Sequence, residues 1–228
     1  MSHPTYSTYK PSGIDWLADI PSNWDVRKLN HTIFYKVGFT PDSNNANYYS
    51  DSDSNGYDWV NISDLGKKWI SKSKKKITQK AIEDFAKTPV KEGSLLYSFK
   101  LTVGAVSITT KDMFTNEAIA AFAANDLLDI NFFYYSAPIS IIKNASENIY
   151  GASILNQEAI GGSKVILPPL SEQKAIAKFL DEKTAEIDAL INKKEELITL
   201  LAEQRKALIT HSTTRGLDSK KPTRRSNK

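Results

Sequence analysis

The clearest chemistry in the sequence lies between Asp64 and Glu83, where seven lysines occur without an acidic residue. Ammonium groups at this density suit a polyanion such as nucleic acid. Trp69 lies within the segment, and Tyr57 and Trp59 precede it. The alternative is that the lysines only solvate a loop. The lysine segment is defined by Lys67, Lys68, Lys72, Lys74, Lys75, Lys76 and Lys80.

Two further stretches carry hydroxyl, amide and amine groups, which contact phosphates and base edges in protein–DNA interfaces. "YSFKLTVG" (97–104) is predicted to form a turn, and "TNEA" (115–118) contributes Thr115 and Asn116. Tyrosine and tryptophan are more often core residues, so each of these signals is weak alone. The predicted DNA-binding set is Tyr57, Lys67, Lys68, Trp69, Lys72, Lys74, Lys75, Lys76, Tyr97, Ser98, Lys100, Thr102 and Asn116.

Catalytic and metal-binding patterns are missing from the sequence. There is no cysteine, and His3, His31 and His211 do not have metal-ligand spacing. No nucleophile elbow, phosphate-binding loop or dinucleotide fingerprint occurs. "ILPPL" (166–170) lacks the polar residue before the prolines and the aromatic residue after them that an amino-methyltransferase motif requires. We therefore predict no catalytic residue and no metal site.

The elements that position these residues are of mixed type. An irregular arm is expected over the first ~20 residues, and "YDWVNISDLG" (57–66) is predicted to be a short apolar strand that ends in a polar turn. A short helix capped by Thr78 follows in "ITQKAIEDFAK" (77–87). "GSLLYSF" and "GAVSITT" read as paired strands, and "DINFFYYSAPISIIKNA" (129–145) as a helix on that sheet. Strands mixed with isolated helices indicate an α+β domain.

A long helix is predicted after Pro168 and Pro169, with Ser171 as its N-cap and Gly216 as its stop. Apolar residues recur every seven positions, with Lys194 in one slot of the series, and others follow three or four residues later. Some 40 helical residues span roughly 60 Å, more than the ~35 Å width of the preceding domain. Packing on the chain's own domain is the alternative, but a partner helix is favoured. The predicted seam is Leu180, Ile187, Leu190, Ile191, Leu197, Ile198, Leu201 and Leu208.

The remaining composition is that of an ordinary globular protein, with 40% hydrophobic and 25% charged residues and a net charge of +4. After Asp218 the chain carries five more cationic residues and no acid, so the rest of the chain has a net negative charge. No secretory signal is expected, and no apolar run approaches the ~20 residues that span a bilayer. These features predict a cytoplasmic location without membrane contact.

"LPPLSEQKAIAKFLDEKTAEIDALI…LLAEQRKALITHSTTRGL" closely resembles the helical region of the specificity subunit of type I restriction-modification enzymes. "YKPSGIDWLADIPSNWDVRKL" resembles the segment that begins each half of that subunit. "WVNISDL", "ITQKAI", "GSLLYSFKLTVGAVSI" and "TNEAIAAF" are similar to segments of its target recognition domains. The resemblance covers nearly the whole chain.

This resemblance implies a non-catalytic chain that reads double-stranded DNA and docks a methyltransferase subunit and, through it, a restriction subunit. S-adenosylmethionine, ATP and Mg²⁺ would belong to those partners, and no cofactor to this chain. Family members carry two recognition domains and two helical regions, whereas this sequence has one of each. The expected organisation is a target recognition domain with its arm (1–166), a helical spacer and dimerisation region (167–217) and a disordered basic tail (218–228).

A half-length specificity subunit would complete itself by pairing its projecting helix with that of a second chain in an antiparallel coiled coil. The expected assembly is a homodimer on a palindromic, bipartite DNA site. Two other classes stay open: a standalone homodimeric DNA-binding regulator, and a coiled-coil adaptor whose globular part binds protein. Whether the half length is natural or a fragment stays open as well.

Overall fold

The computed structural model describes residues 6–50, 56–147 and 153–217. It divides into two units, Met1–Lys178 and Phe179–Lys228. Sheets and separate helices make up the first unit, and one continuous helix makes up the described part of the second, so the predicted α+β class is confirmed. The predicted tail, 218–228, lies outside the described residues. The predicted domain boundaries stay a prediction.

The described residues form fifteen strands, four α-helices and three short 3₁₀ helices. The strands are β1 Tyr9–Ile14, β2 Leu17–Pro21, β3 Asp25–Lys28, β4 Tyr35–Val37, β5 Tyr49–Ser50, β6 Tyr57–Val60, β7 Trp69–Ile70, β8 Lys75–Ile77, β9 Leu95–Ser98, β10 Val106–Thr109, β11 Phe114–Thr115, β12 Ile119–Phe122, β13 Ser146–Glu147, β14 Ser153–Ile154 and β15 Lys164–Leu167. The helices are α1 Gln79–Asp84, α2 Ile130–Ile142, α3 Gln157–Gly162 and α4 Leu170–Arg215, and the 3₁₀ helices are Leu29–His31, Ala46–Tyr48 and Ile62–Asp64.

The larger sheet has the strand order β4-β12-β9-β10-β7, and its central strands are buried on both faces. On one face, Tyr97 and Phe122 join a core that includes Phe133 of α2. On the other face, Leu96 and Ile119 pack in a second core. Strands covered on both sides need continuous apolar runs rather than alternating ones, which is the pattern these segments have. The predicted pairing of "GSLLYSF" with "GAVSITT" is confirmed, because β9 and β10 are antiparallel.

A second sheet, ordered β11-β6-β8-β5, carries part of the lysine segment. Strand β8 supplies Lys75 and Lys76 and pairs with β6 in an antiparallel register that places Lys76 opposite Asp58. Trp59 and Ile77 bury the inner face of this sheet with Phe114. A buried inner face fixes which side chains of each strand point away from the core.

Local sequence signals for the first two helices are confirmed. Helix α1 is capped by Thr78, whose hydroxyl accepts a hydrogen bond from the Ala81 amide at 3.3 Å. Helix α2 is capped by Asp129, which accepts from the Phe132 amide at 3.0 Å. In both helices the side-chain oxygen pairs with an N–H group that has no partner within the helix.

The prediction of an irregular N-terminal arm is wrong for the described residues. Strands β1 and β2 form an antiparallel hairpin, with Tyr9 opposite Pro21. The segment is also tied to the first turn of α4, where Glu172 accepts hydrogen bonds from Tyr6 (2.9 Å), Asn23 (2.8 Å) and Trp24 (2.8 Å). Proline and serine content suggested an irregular chain, but strands β1 and β2 pair with each other and hydrogen bonds hold the segment to the start of α4.

Helix α4 is 46 residues long, which corresponds to about 69 Å at 1.5 Å per residue. It begins at Leu170, so the prediction of Ser171 as the N-cap is wrong; the Pro169 carbonyl accepts from Glu172 and Gln173 instead. The helix ends before Gly216, whose φ of 77° is easily adopted only without a side chain, as predicted. Among the helices of the described chain, none combines the length and apolar character needed to cross a membrane.

Gly38 occupies a position where a side chain cannot fit. A Cβ built on Gly38 would overlap the Thr115 carbonyl oxygen, at the point where the Phe39 amide donates to that same oxygen at 2.9 Å. We expect Gly38→Ala to destabilise the fold by about 1–3 kcal/mol, the usual cost of overpacking, in urea unfolding. Gly162→Ala is the matched control, since its Cβ would meet only ordinary contacts at 3.6 Å. Equal stability of the two variants would contradict the prediction.

Candidate nucleic-acid interface

The lysine segment runs along β7, the turn of residues 71–74 and β8. Its side chains at Lys67, Lys72, Lys74 and Lys75 are exposed. Strand β7 is the edge of the larger sheet and β8 lies in the second sheet, so the segment connects the two sheets. Four exposed ammonium groups on one continuous segment form a surface that can approach a phosphate backbone.

Asp58 lies on β6 opposite Lys76, and its side chain is only 4% exposed. Its Oδ1 accepts hydrogen bonds from the Ser73 amide (2.9 Å) and from the Lys76 ammonium (3.2 Å). Its Oδ2 forms an ion pair with Lys111 at 2.5 Å. Lys76 is therefore paired with a nearly buried carboxylate, whereas the exposed Lys74 ammonium donates to the Ser63 carbonyl, at 3.2 Å. The assignment of Lys76 to a phosphate contact stays a prediction.

Burial alone would raise the pKa of Asp58, but hydrogen bonds from Lys111, Ser73 and Lys76 outweigh burial and lower it from 3.8 to about 2. Because the pKa is lowered in the folded state, the stabilisation is complete above the unfolded-state value and is lost as the pH falls from about 4 towards 2. A shift of this size corresponds to about 2 kcal/mol.

We therefore expect the difference in unfolding free energy between the native chain and Asp58→Asn to stay constant above pH ~5. It should shrink by about 2 kcal/mol as the pH falls to ~2. Chemical denaturation across this range measures the difference. A difference that does not depend on pH would show that the Asp58 carboxylate has no lowered pKa.

Aromatic residues border the lysine segment. Trp69 is 54% exposed and Tyr57 is 45% exposed, so both remain available to a ligand. The Lys68 ammonium lies 5.3–5.5 Å from the ring centroids of Trp69, Tyr134 and Tyr135. This arrangement holds Lys68 by cation–π attraction against helix α2, which sequence patterns did not indicate.

Two of the predicted DNA contacts are buried residues. Tyr97 and Ser98 are fully buried in β9, and the Ser98 hydroxyl donates to the Lys100 carbonyl at 2.9 Å. Thr115, also considered a contact, is buried in β11. Their polar groups suggested a surface turn, but β9 is the middle strand of a sheet covered on both faces. The true turn begins one residue after Ser98.

Lys100 and Thr102 are exposed in the turn between β9 and β10, next to Leu101, which is 92% exposed. Asn116 is half-buried, and its amide nitrogen lies 3.4 Å from the Asn61 side-chain oxygen while its own oxygen accepts from the Ala118 amide at 3.1 Å. The structure thus uses Asn116 to shape a turn. The assignment of Lys100, Thr102 and Asn116 to a DNA surface stays a prediction.

Sequence patterns missed Asp58, Ser73 and Lys111. One signal was present: Asp58 is a lone acid inside an otherwise apolar strand, and charged residues at such positions are seldom buried unless paired. Lys111 gave no signal, because it is 53 positions away along the chain.

The predicted seam of α4 is largely exposed. From Ile187 to Ile209, nine leucine and isoleucine side chains are 47–68% exposed, and Leu180 is half-buried. Leu200 and Ile209 belong to this group but were not predicted. We call the set the helical stripe: Leu180, Ile187, Leu190, Ile191, Leu197, Ile198, Leu200, Leu201, Leu208 and Ile209. An apolar stripe this long is typical of a helix that pairs with another.

Within residues 6–50, 56–147 and 153–217, no group of three or more His, Cys, Asp or Glu side chains is placed to hold a metal ion.

Residues 21–200 match the family described as type I restriction modification DNA specificity domain. The match covers well over half of the chain. The chain belongs to this family. Membership supports the expectation of a specificity component rather than an enzyme.

Curated relatives of this specificity domain include two from Methanocaldococcus jannaschii. The type I restriction enzyme MjaIX specificity subunit is 23% identical over 186 residues, which are 79% of this chain and 41% of the relative. The MjaVIII specificity subunit is 24% identical over 201 residues, 87% of this chain and 44% of the relative. The chain therefore spans less than half the length of these relatives.

Solved structures show the same fold. The HsdS subunit from Thermoanaerobacter tengcongensis has a TM-score of 0.63 at 18% identity, covering 92% of this chain and 48% of its own. A chain solved in work on complex assembly and conformational transition of the type I R-M system has a TM-score of 0.70 at 19% identity, covering 92% and 49%. The predicted resemblance to specificity subunits is confirmed.

Proposed function

We propose that this specificity domain reads one half of a bipartite site in double-stranded DNA, using the surface around the lysine segment. The observation that carries the proposal is the exposed group of Lys67, Lys72, Lys74 and Lys75 on a chain that belongs to a DNA specificity family. The lysines would contribute affinity through phosphates, and the exposed rings of Tyr57 and Trp69 would contact the bases.

We further propose that two copies pair through the helical stripe. The stripe leaves ten leucine and isoleucine side chains for a partner, and each contributes ~1.5–3 kcal/mol when fully buried. Identical helices pair most simply about a two-fold axis, in an antiparallel arrangement that sets the two recognition domains at opposite ends. Two-fold symmetry in the protein implies a palindromic site. With a helix of about 69 Å, the half-sites would lie one to two DNA turns apart.

The assembled dimer would dock a type I methyltransferase subunit and, through it, a restriction subunit. S-adenosylmethionine, ATP and Mg²⁺ would be bound by those partners, and the role of this chain would be to supply sequence specificity. Support comes from the family assignment, since the relatives are named as specificity subunits of type I restriction enzymes.

Reconstitution tests this role. We expect the purified chain with S-adenosylmethionine not to methylate DNA, and the same chain with a type I methyltransferase subunit to methylate adenine at one discrete sequence. Restriction-digest protection and sequencing of methylated adenines measure the outcome. Methylation by the chain alone would contradict the proposal. Site-specific binding without any association with the methyltransferase subunit would favour a standalone regulator, and no DNA binding would favour a protein adaptor.

A further inference from the structure

Asp58 presents a problem for a DNA-binding surface, because it places a negative charge where phosphates would approach. Its side chain is nearly buried on β6, directly opposite Lys76 of β8. Electrostatics alone predicts that this carboxylate weakens DNA binding. Its contacts indicate a different role.

The carboxylate contacts the turn that carries the exposed lysines through Ser73. Ser73 donates its amide hydrogen to Asp58 at 2.9 Å, and its hydroxyl lies 3.0 Å from the same carboxylate oxygen. That hydroxyl also lies 2.6 Å from the Lys75 carbonyl and accepts a hydrogen bond from the Trp59 amide at 2.9 Å. Ser73 thus links strand β6 to residues 71–75 through backbone groups on both sides, and Asp58 holds Ser73 in place.

The same carboxylate gathers two cationic side chains from separate parts of the chain. Lys76 approaches Oδ1 at 3.2 Å and Lys111 approaches Oδ2 at 2.5 Å, although Lys111 follows β10 of the other sheet. The Lys111 side chain remains 47% exposed, so its ammonium can reach a second anion. Two ammonium groups this close to each other repel unless an anion lies between them. Asp58 is that anion in the free protein.

We propose that Asp58 is a positioning residue of the DNA interface, which holds the turn of residues 71–74 and Lys111 in the arrangement that phosphates bind. The inference rests on the proposed function. Pre-ordering the cationic groups reduces the conformational entropy that would otherwise be lost on binding, so a buried negative charge increases affinity for a polyanion. Because Asp58 positions Lys111, we expect the Lys111 ammonium to contact a phosphate as well.

Removing the Asp58 charge should strengthen DNA binding by electrostatics alone, whereas losing the positioning of the lysines should weaken it. The DNA affinity of Asp58→Asn therefore distinguishes the two roles. Asparagine has the same shape but keeps one acceptor oxygen, and its amide hydrogens would face either Lys111 or the donors on Oδ1. We expect about tenfold weaker binding to a mixed-sequence duplex of about thirty base pairs, in fluorescence anisotropy over a series of salt concentrations. The slope of log K against log salt should flatten by ~0.9 for each phosphate that the variant no longer neutralises.

Asp112→Asn is the matched control, since it removes the same charge from the exposed residue that follows Lys111 in the chain and pairs with Lys91 rather than with the Asp58 cluster. We expect this variant to bind the duplex as tightly as the native chain or more tightly. Binding by Asp58→Asn as tight as that of the native chain would overturn the inference, and so would an unchanged salt slope.

Two further measurements cover a failure of Asp58→Asn to fold. Ser73→Ala keeps the carboxylate but removes the hydroxyl that links Trp59 with Lys75, and should bind roughly fivefold more weakly. Native affinity in this variant would overturn the inference. Amide hydrogen exchange of residues 71–76 should be faster in Asp58→Asn and in Ser73→Ala than in the native chain, provided that the variant folds. Unchanged protection in a folded variant would count against the inference. If the native chain itself fails to bind any duplex, the proposed function fails first and the inference with it.

Discussion

The chain with Leu190→Asp and Leu201→Asp is expected to be a monomer of 25.5 kDa in light scattering, whereas the native chain at micromolar concentration scatters as a dimer of twice that mass. Both leucines lie in the middle of the helical stripe and are 54% and 53% exposed. In a two-fold antiparallel pair, each substitution occurs twice. Four carboxylates would therefore be placed in an apolar seam.

The expected effect is large because two costs combine. Each leucine removed forfeits ~1.5–3 kcal/mol of burial, and each carboxylate entering the seam must give up hydration or separate the helices. A dimer with micromolar dissociation constant has only about 8 kcal/mol of association free energy, so four such changes exceed it. Circular dichroism should show that the globular unit stays folded, since both leucines lie beyond Lys178.

The control is Asn192→Asp with Thr199→Asp, which adds the same charges to the same helix. These residues are exposed and occupy the face opposite Leu190 and Leu201 at 3.6 residues per turn. We expect this variant to remain dimeric. A native chain that is monomeric yet binds one continuous, asymmetric DNA site would contradict both the homodimer and the palindromic site.

The second large effect is expected from Lys72→Ala, Lys74→Ala and Lys75→Ala combined. All three side chains are exposed on the lysine segment, and we expect each to bind a phosphate. The slope of log K against log salt should flatten by ~0.9 for each phosphate, or about 2.7 in total. At 0.1 M salt this corresponds to a loss of affinity of more than roughly a hundredfold, shared by specific and non-specific duplexes.

The choice of these three lysines follows from the structure. The sequence pattern alone favours Lys74, Lys75 and Lys76, but Lys76 is bound by Asp58, so replacing it would disturb the fold as well as the charge. Lys28→Ala, Lys174→Ala and Lys178→Ala form the matched control, because all three are exposed and lie outside the lysine segment. A salt slope that is the same in both triple variants would show that the lysine segment is only solvated surface.

The sequence by itself determined the elements whose signals are local. Thr78 and Gly216 mark helix ends because capping depends on a few neighbouring residues. The seven-residue spacing from Leu180 to Leu208 indicated one long helix with an apolar stripe, since periodicity of 3.5 to 3.6 residues has a direct structural meaning. The motifs around Pro168 were sufficient to indicate the family, as the match over residues 21–200 confirms.

Tertiary structure alone decided which polar residues face outward. Tyr97 and Ser98 resembled turn residues, but the sheet is covered on both faces and buries them. The N-terminal segment became a hairpin beside Glu172, a residue about 150 positions away. Asp58, Ser73 and Lys111 form one cluster only because β6, the 71–74 turn and the end of β10 meet in space. Burial and long-range pairing depend on chain segments far apart in sequence, and no local pattern encodes them.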